Sequence, residues 1–296
     1  MRHACVFPGQ GAQYSGMGAR LYEKYALARE MFEAANAALG FSVTDSMFKG
    51  SAEELKQTHV TQPAVFLHAV VAASCLAKTA RPAEAVAGHS LGEFSALVLC
   101  GALDFLDGLH LVRQRAEAMQ EACEQQPSTM AVVMGLSDSQ IEAACQAVRE
   151  EIVVPANYNT AGQLVISGTV QGIALATQKL QEMGVRRVLP LAVGGAFHSP
   201  LMRSAQEKLS QAIENTTFHT ARIPIYQNID GLPSQNTADI KKKLIKQLTA
   251  PVRWQTTIET MQKDGFTSFT ECGPGKVLQG LIKKTAPAAE VSGCEG

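Results

Sequence analysis

One stretch constrains this chain more than any other: Ala85-Val86-Ala87-Gly88-His89-Ser90-Leu91-Gly92-Glu93-Phe94-Ser95-Ala96. Glu84 to Ala87 reads as a short buried strand, and Leu91 to Cys100 as a helix stopped by Gly101. Between them lies Gly-x-Ser-x-Gly. A strand that turns sharply into a helix crowds backbone atoms together, and Gly88 and Gly92 remove the side chains that would collide there. The serine at the bend is held in the open at a helix N-terminus. Backbone N–H groups and the positive end of the helix dipole meet at that point. A nucleophilic Ser90 there sits beside a ready-made oxyanion site, with the N–H of Leu91 as one donor and an N–H of the first strand-end loop as the other.

The chain has 296 residues, 46% hydrophobic and 18% charged, enough for a large core in one or two domains. A formal net charge of -1 implies neither a nucleic acid nor an anionic membrane as partner. No apolar run approaches the ~18 residues of a spanning helix. The start, Met1 to Pro8, lacks a signal-peptide layout, so a cytoplasmic location is expected. The seven cysteines, Cys5, Cys75, Cys100, Cys123, Cys145, Cys272 and Cys294, are scattered and odd in number, which fits reduced thiols better than disulfides. Neither Cys-x-x-Cys nor His-Glu-x-x-His occurs, so no metal site is expected.

Taken in order, a strand from His3 to Phe7 runs into the loop Pro8-Gly9-Gln10-Gly11-Ala12-Gln13, which lacks the Lys-Ser/Thr of a phosphate loop. A helix is expected from Gly18 to Leu39. Ser51 and Glu54 resemble a capped helix start. Thr61-Gln62-Pro63 opens a long apolar helix, Ala64 to Lys78, with His68 as a partly packed surface histidine. Asp104 caps a helix from Phe105 to Glu124, whose stripe is Phe105, Leu109, Val112, Ala116, Met119 and Cys123. Arg113 and Arg115 lie about 80° to either side of that stripe, and helical geometry alone does not choose which faces a cleft.

From Ser128 to Val193 the pattern is βαββαβ, a ferredoxin-like unit read as an inserted subdomain, with its middle strands joined through the loop 157–162. The chain returns through Gly194-Gly195-Ala196-Phe197-His198-Ser199-Pro200, placing His198 on a glycine-rich loop after a strand. Helices from Leu201 to Ile213, Asp239 to Leu248, Pro251 to Lys263 and Lys276 to Lys284 alternate with strands from Ile223 to Asn228 and Phe266 to Glu271. Lys241-Lys242-Lys243 reads as a solvated face, and the tail 288–296 as disordered. The domains expected are 1–127 with 194–287, and 128–193 inserted between them.

Ser90 needs a base within reach, and His198 is the candidate. No acidic residue between them is an obvious third member of a triad. None is required, because a main-chain carbonyl also holds an imidazole tautomer. The residues thus propose a Ser90–His198 dyad for acyl transfer.

The loop 8–13, the Gly88-His89-Ser90-Leu91-Gly92-Glu93 bend, the segment Val112-Arg113-Gln114-Arg115-Ala116-Glu117-Ala118-Met119-Gln120, Ala196-Phe197-His198-Ser199 and Gln247-Leu248-Thr249-Ala250-Pro251-Val252 come in an order that resembles the malonyl-CoA:acyl carrier protein transacylases. The resemblance runs to about Pro287. It implies an α/β fold, a hydrolase-like parallel-sheet domain with an inserted ferredoxin-like subdomain. It also implies roles: Ser90 as the malonylated nucleophile, His198 as its base, and the N–H groups of Gln10 and Leu91 as the oxyanion hole. Arg115, not Arg113, binds the malonyl carboxylate, and the carbonyl of Gln247 orients His198. Asn159 matches a polar position near the cleft. Phe197 matches a position that in related polyketide acyltransferases goes with malonyl over methylmalonyl. The implied activity is ping-pong transfer of malonyl from malonyl-CoA to the phosphopantetheine thiol of acyl carrier protein in fatty acid biosynthesis, with no cofactor; the residues do not specify an oligomeric state, and a monomer is the default expectation. The carrier's acidic surface is expected to meet lysines among Lys241 to Lys246, Lys276, Lys283 and Lys284, with Arg203. Alternatives are a stand-alone acyltransferase loading polyketide carriers, a serine thioesterase, and a non-catalytic scaffold.

Overall fold

Strand β1 (Arg2–Phe7) is buried on both faces, as the centre of a parallel sheet requires. This computed structural model describes residues 2–76, 81–185 and 187–295. After β1 come α1 (Ala19–Lys24), α2 (Ala26–Leu39), α3 (Val43–Lys49), α4 (Thr58–Leu76), β2 (Ala85–Gly88), α5 (Gly92–Leu99) and α6 (Phe105–Gln125). Next are β3 (Ser128–Met134), α7 (Asp138–Gln146), β4 (Val153–Thr160), β5 (Gln163–Thr169), α8 (Val170–Glu182) and β6 (Arg187–Pro190). The chain continues through α9 (Arg203–Asn215), β7 (Ile225–Tyr226), β8 (Pro233–Ser234), α10 (Thr237–Lys246), α11 (Trp254–Lys263), β9 (Phe266–Cys272), α12 (Val277–Thr285) and β10 (Glu290–Cys294).

One sheet has the order β10-β9-β1-β2-β7-β8, parallel throughout except for the last pair. The other, β4-β5-β3-β6, is antiparallel. Side chains alternate across β1. Phe7 joins the apolar cluster that holds Phe32, Phe66 and Leu111, while Ala4 and Val6 join Trp254, Ile258 and Leu281 on the opposite face. β1 and β2 pair from Ala4↔Ala85 to Phe7↔Gly88, so both end at one level. The Pro8 loop and the Ser90 bend therefore emerge side by side at the carboxyl edge of the sheet, where open α/β sheets gather their sites.

Several expectations need correction. The helix expected from 18 to 39 breaks at Tyr25, whose backbone is extended at φ −117°. The break folds α1 back, so the Tyr22 ring lies 6.1 Å from Phe32 and 5.6 Å from Phe48. In a straight helix residues 22 and 32 stand about 15 Å apart along the axis. Helix α4 begins at Thr58 and contains Pro63. The N–H that Pro63 lacks leaves the carbonyl of His59 without its helical partner, and His59 is exposed to water. The end expected at Lys78 lies outside the described residues.

His68 is no surface residue: it is fully buried, and among the described residues neither ring nitrogen has a hydrogen-bond partner. From Ala64 to Ala73 every residue of its helix is buried and all but His68 are apolar, so no polar face remains there. The loop expected at 157–162 is instead mostly strand: β4 runs to Thr160, and the turn shrinks to Ala161-Gly162, with Gly162 at φ 73°. The tail expected to be disordered carries β10, which extends the parallel sheet beside β9 from Glu290↔Ser268 to Cys294↔Cys272. It is held because Cys294 packs into the main core and Ala289 into the smaller one.

Candidate active site

Ser90 stands between β2 and α5 with φ 52°, and His198 has φ 56°. Among the described residues these are the non-glycine residues with positive φ. Such backbone persists only where the surroundings over-determine it. At the serine bend those surroundings are backbone on backbone: a Cβ at Gly88 would lie 2.0 Å from the carbonyl carbon of Gly92, and one at Gly92 would lie 2.1 Å from the carbonyl oxygen of Phe7. Asn228 pins the bend from the far side. Its Oδ1 accepts the Ser90 N–H at 2.7 Å, and its Nδ2 donates to the Gly88 carbonyl at 2.6 Å.

His198 Nε2 lies 2.7 Å from Ser90 Oγ. Its Nδ1 faces two carbonyl oxygens, Gln247 at 2.9 Å and Ala250 at 3.2 Å. Both can only accept, so Nδ1 carries the proton and Nε2 presents its lone pair to the serine hydroxyl. Burial, and then the charge of Arg115, pushes the imidazole down to about 3. It is neutral at physiological pH, the form a general base needs.

Arg115 is 1% exposed. Its Nη1 donates to Gln62 Oε1 at 2.7 Å, and its Nη2 to Ser90 Oγ at 3.1 Å and to Gln247 Oε1 at 3.4 Å. Its Nε has no hydrogen-bond partner among the described residues. Burial works against the charged guanidinium and the nearby Glu93 carboxylate supports it. A guanidinium stays charged under such opposition. Arg113 turns the other way, to Glu117 and the Leu39 carbonyl. The choice between them that helix geometry left open is thus made by packing.

A cavity of about 80 Å³ opens over the three side chains and is lined also by Gln10, Leu91 and Phe197. A neighbouring cavity of about 230 Å³ shares Gln10 and His89 with it and reaches Asn159 and Gln163. Asn159 does not approach Ser90. Its Oδ1 accepts from His89 Nε2 at 2.9 Å, at the wall between the two spaces. Of the basic residues expected to meet a carrier, Lys243 is held by Asp230 and Asp239 at 3.0 Å each, and Lys283 donates to the Ala289 carbonyl.

A nucleophile, a neutral base and a buried cation at one strand edge are the equipment of an acyl transferase acting on an anionic acyl group. The acyl transferase domain model matches residues 4–295. The malonyl CoA-acyl carrier protein transacylase of Bacillus subtilis is 41% identical over 95% of this chain and 89% of its own length, and that of Escherichia coli K12 is 39% identical over 95% and 92%. The solved transacylase of Coxiella burnetii superposes with a TM-score of 0.96 at 35% identity, covering 100% of this chain and 94% of its own. A malonyl-transacylase solved in complex with its type II polyketide synthase acyl-carrier protein superposes at 0.94 and 36% identity, over 99% of this chain and 95% of its own. The chain belongs to the malonyl CoA-acyl carrier protein transacylase family.

The structure brings Ser90, His198, Arg115, Gln10, Leu91 and Phe197 around one cavity, with Gln247 bonded to His198 and Arg115 behind it. The residues that hold them, Asn228, Gln62 and Glu93, are absent from the sequence expectations. Asn228 was within reach of a simple signal, since it follows β7 at the same edge of the sheet as Ser90. Gln62 carried none, because it lies in the first turns of a helix whose start was misplaced.

Proposed function

We propose that this protein moves malonyl from malonyl-CoA to the phosphopantetheine thiol of acyl carrier protein through malonyl-Ser90. The observation that carries the reading is Arg115, buried and charged, with Nη2 3.1 Å from the nucleophile's oxygen. A malonyl ester on Ser90 presents its free carboxylate one carbon beyond the carbonyl, within reach of that guanidinium. An acetyl ester leaves the cation unpaired, a penalty of about 3–5 kcal/mol on the usual scale for a broken buried pair.

The proton path follows from the tautomer. His198 Nε2 takes the Ser90 proton as Oγ attacks the thioester carbonyl. The Gln247 and Ala250 carbonyls accept Nδ1–H and hold the imidazolium that forms. The N–H groups of Gln10 and Leu91 receive the negative oxygen. Collapse expels the CoA thiolate, which takes the proton back from Nε2. The carrier thiol then enters, gives its proton to Nε2 and attacks the ester carbonyl; collapse expels Ser90 Oγ, which takes that proton back from Nε2. Every group needed is a side chain or backbone amide, so the chemistry asks for no bound cofactor. Phe197 crowds a 2-methyl branch, a filter worth roughly 1–3 kcal/mol. Segment 128–193 serves as an inserted subdomain that closes one wall of the cleft through Met130, Asn157 and Leu191. The protein works as a cytoplasmic monomer.

Intact-protein mass spectrometry tests this. Malonyl-CoA alone is expected to leave a malonyl adduct on Ser90 that persists in water and is discharged within seconds by phosphopantetheinylated carrier protein. An adduct lost equally fast without carrier makes the protein a thioesterase, and no adduct at all removes the catalytic reading. Loading of polyketide carriers is the second reading, favoured by the likeness to the polyketide transacylase complex. Faster discharge by a polyketide carrier than by a fatty acid carrier would select it.

A further inference from the structure

Glu93 lies three residues after the nucleophile, in the first turn of α5, and is 1% exposed. Its oxygens meet donors only. Oε1 accepts from Gln227 Nε2 at 2.8 Å, and Oε2 accepts from the Asn228 backbone N–H at 3.0 Å and from Gln247 Nε2 at 3.1 Å. A protonated carboxyl would aim a hydrogen at one of these N–H groups, so the cage suits a carboxylate.

Two of the donors belong to groups that touch the reacting pair. Gln247 lends its backbone carbonyl to His198 Nδ1–H, while its side-chain Nε2 also donates to the Ser90 carbonyl at 2.9 Å. Asn228, with its own N–H fixed by Glu93, holds Ser90 N–H and the Gly88 carbonyl with its side chain. One carboxylate therefore ties down the bend that carries the nucleophile and the carbonyl that sets the base.

The same carboxylate also supports the charge of Arg115 from beyond ion-pair distance. The other groups around that guanidinium are the hydroxyl of Ser90, the amides of Gln62 and Gln247, the neutral His198, and the Phe94 ring, 5.8 Å from the guanidinium carbon. Glu93 is the anion among them. Burial raises its carboxyl above the ordinary carboxylate range, and the three N–H groups and Arg115 offset that rise only in part.

We propose that Glu93 is a positioning residue for acyl transfer: through Gln247 and Asn228 it fixes the His198 tautomer and the Ser90 bend. The proposal rests on the reading of Ser90 and His198 as the transferring pair.

Glu93→Gln keeps the shape and places an NH2 inside a cage of donors. The test measures two quantities that involve no malonyl group, so they remain informative if the malonyl reading fails. One is the ¹⁵N spectrum of the His198 ring. The other is the rate at which a fluorophosphonate labels Ser90. Wild type is expected to show a single Nδ1–H tautomer, and folded Glu93→Gln a mixture of tautomers with labelling slowed about tenfold or more. Malonyl loading is expected to lose on the order of 10²-fold in kcat, with KM for malonyl-CoA changed by less than about threefold. Glu93→Asp, which keeps the charge but withdraws it by one methylene, is expected to fall between the two, and it carries the same readouts if Glu93→Gln does not fold. A folded variant with a single Nδ1–H tautomer and labelling within about twofold of wild type would overturn the proposal.

Discussion

Two interior places in this molecule treat titratable side chains in opposite ways. Around Ser90, the buried groups Glu93, Arg115, His198 and Gln247 are linked to one another by hydrogen bonds. In the middle of α4, His68 is equally removed from water, yet among the described residues both of its nitrogens are bare. The first arrangement costs desolvation and recovers it through partners, so removing any member exposes the rest. The second recovers nothing, so removing the member should help. Burial of a polar group is thus no guide to its importance until its partners are counted.

The largest expected effect lies on the networked side. His198→Ala removes the base and leaves the Gln247 and Ala250 carbonyls facing a void. Malonyl loading of Ser90 is expected to fall by roughly 10²–10⁴-fold in a stopped-flow or quench assay. Retention of loading within tenfold would mean that the 2.7 Å contact to Ser90 is not the proton path.

A smaller effect of the opposite sign is expected in α4. Burial pushes the His68 imidazole down to about 4, against an ordinary value of 6.5. Above pH 6.5 the imidazole is neutral in both the folded and unfolded chain and stability does not depend on it. Between 6.5 and 4 the unfolded chain takes up a proton that the folded chain refuses, so stability falls as the pH is lowered. The loss reaches about 2 kcal/mol at pH 5 and roughly 3 kcal/mol below pH 4. His68→Leu is expected to be the more stable protein at every pH, with its margin over wild type widening from pH 7 to pH 5 in urea titrations. Parallel stability curves would show that His68 has a partner after all.

The same contrast explains what could be read from the sequence. The bend at Gly88-His89-Ser90-Leu91-Gly92 was legible because its constraint is local: two glycines must accept atoms 2.0–2.1 Å from where a Cβ would be. The order of most strands and helices is legible for the same reason, whereas the short helix Val43–Lys49, the break at Tyr25 and the strands Pro233–Ser234 and Glu290–Cys294 depend on tertiary contact. The side-chain network was not legible. Asn228 meets Ser90 across 138 residues and Gln247 meets Glu93 across 154, and no periodicity in the chain announces such a meeting. His68 is misplaced when judged by residue type alone, whereas its neighbours from Ala64 to Ala73 are all apolar and mark a stretch of α4 covered on every face.

The account stands most directly on the two arginines of α6. Loading of Ser90 from malonyl-CoA and from acetyl-CoA, measured side by side for wild type, Arg113→Ala and Arg115→Ala, isolates the inward-facing cation from the outward-facing one. Arg113 is salt-bridged to Glu117 at the surface, so its removal is expected to leave the malonyl preference within about twofold of wild type. Removal of Arg115 is expected to lower malonyl loading by about 3–5 kcal/mol in transition-state terms and to abolish the preference over acetyl. If Arg115→Ala keeps the wild-type preference for malonyl, the buried guanidinium does not select the substrate and the central claim is wrong.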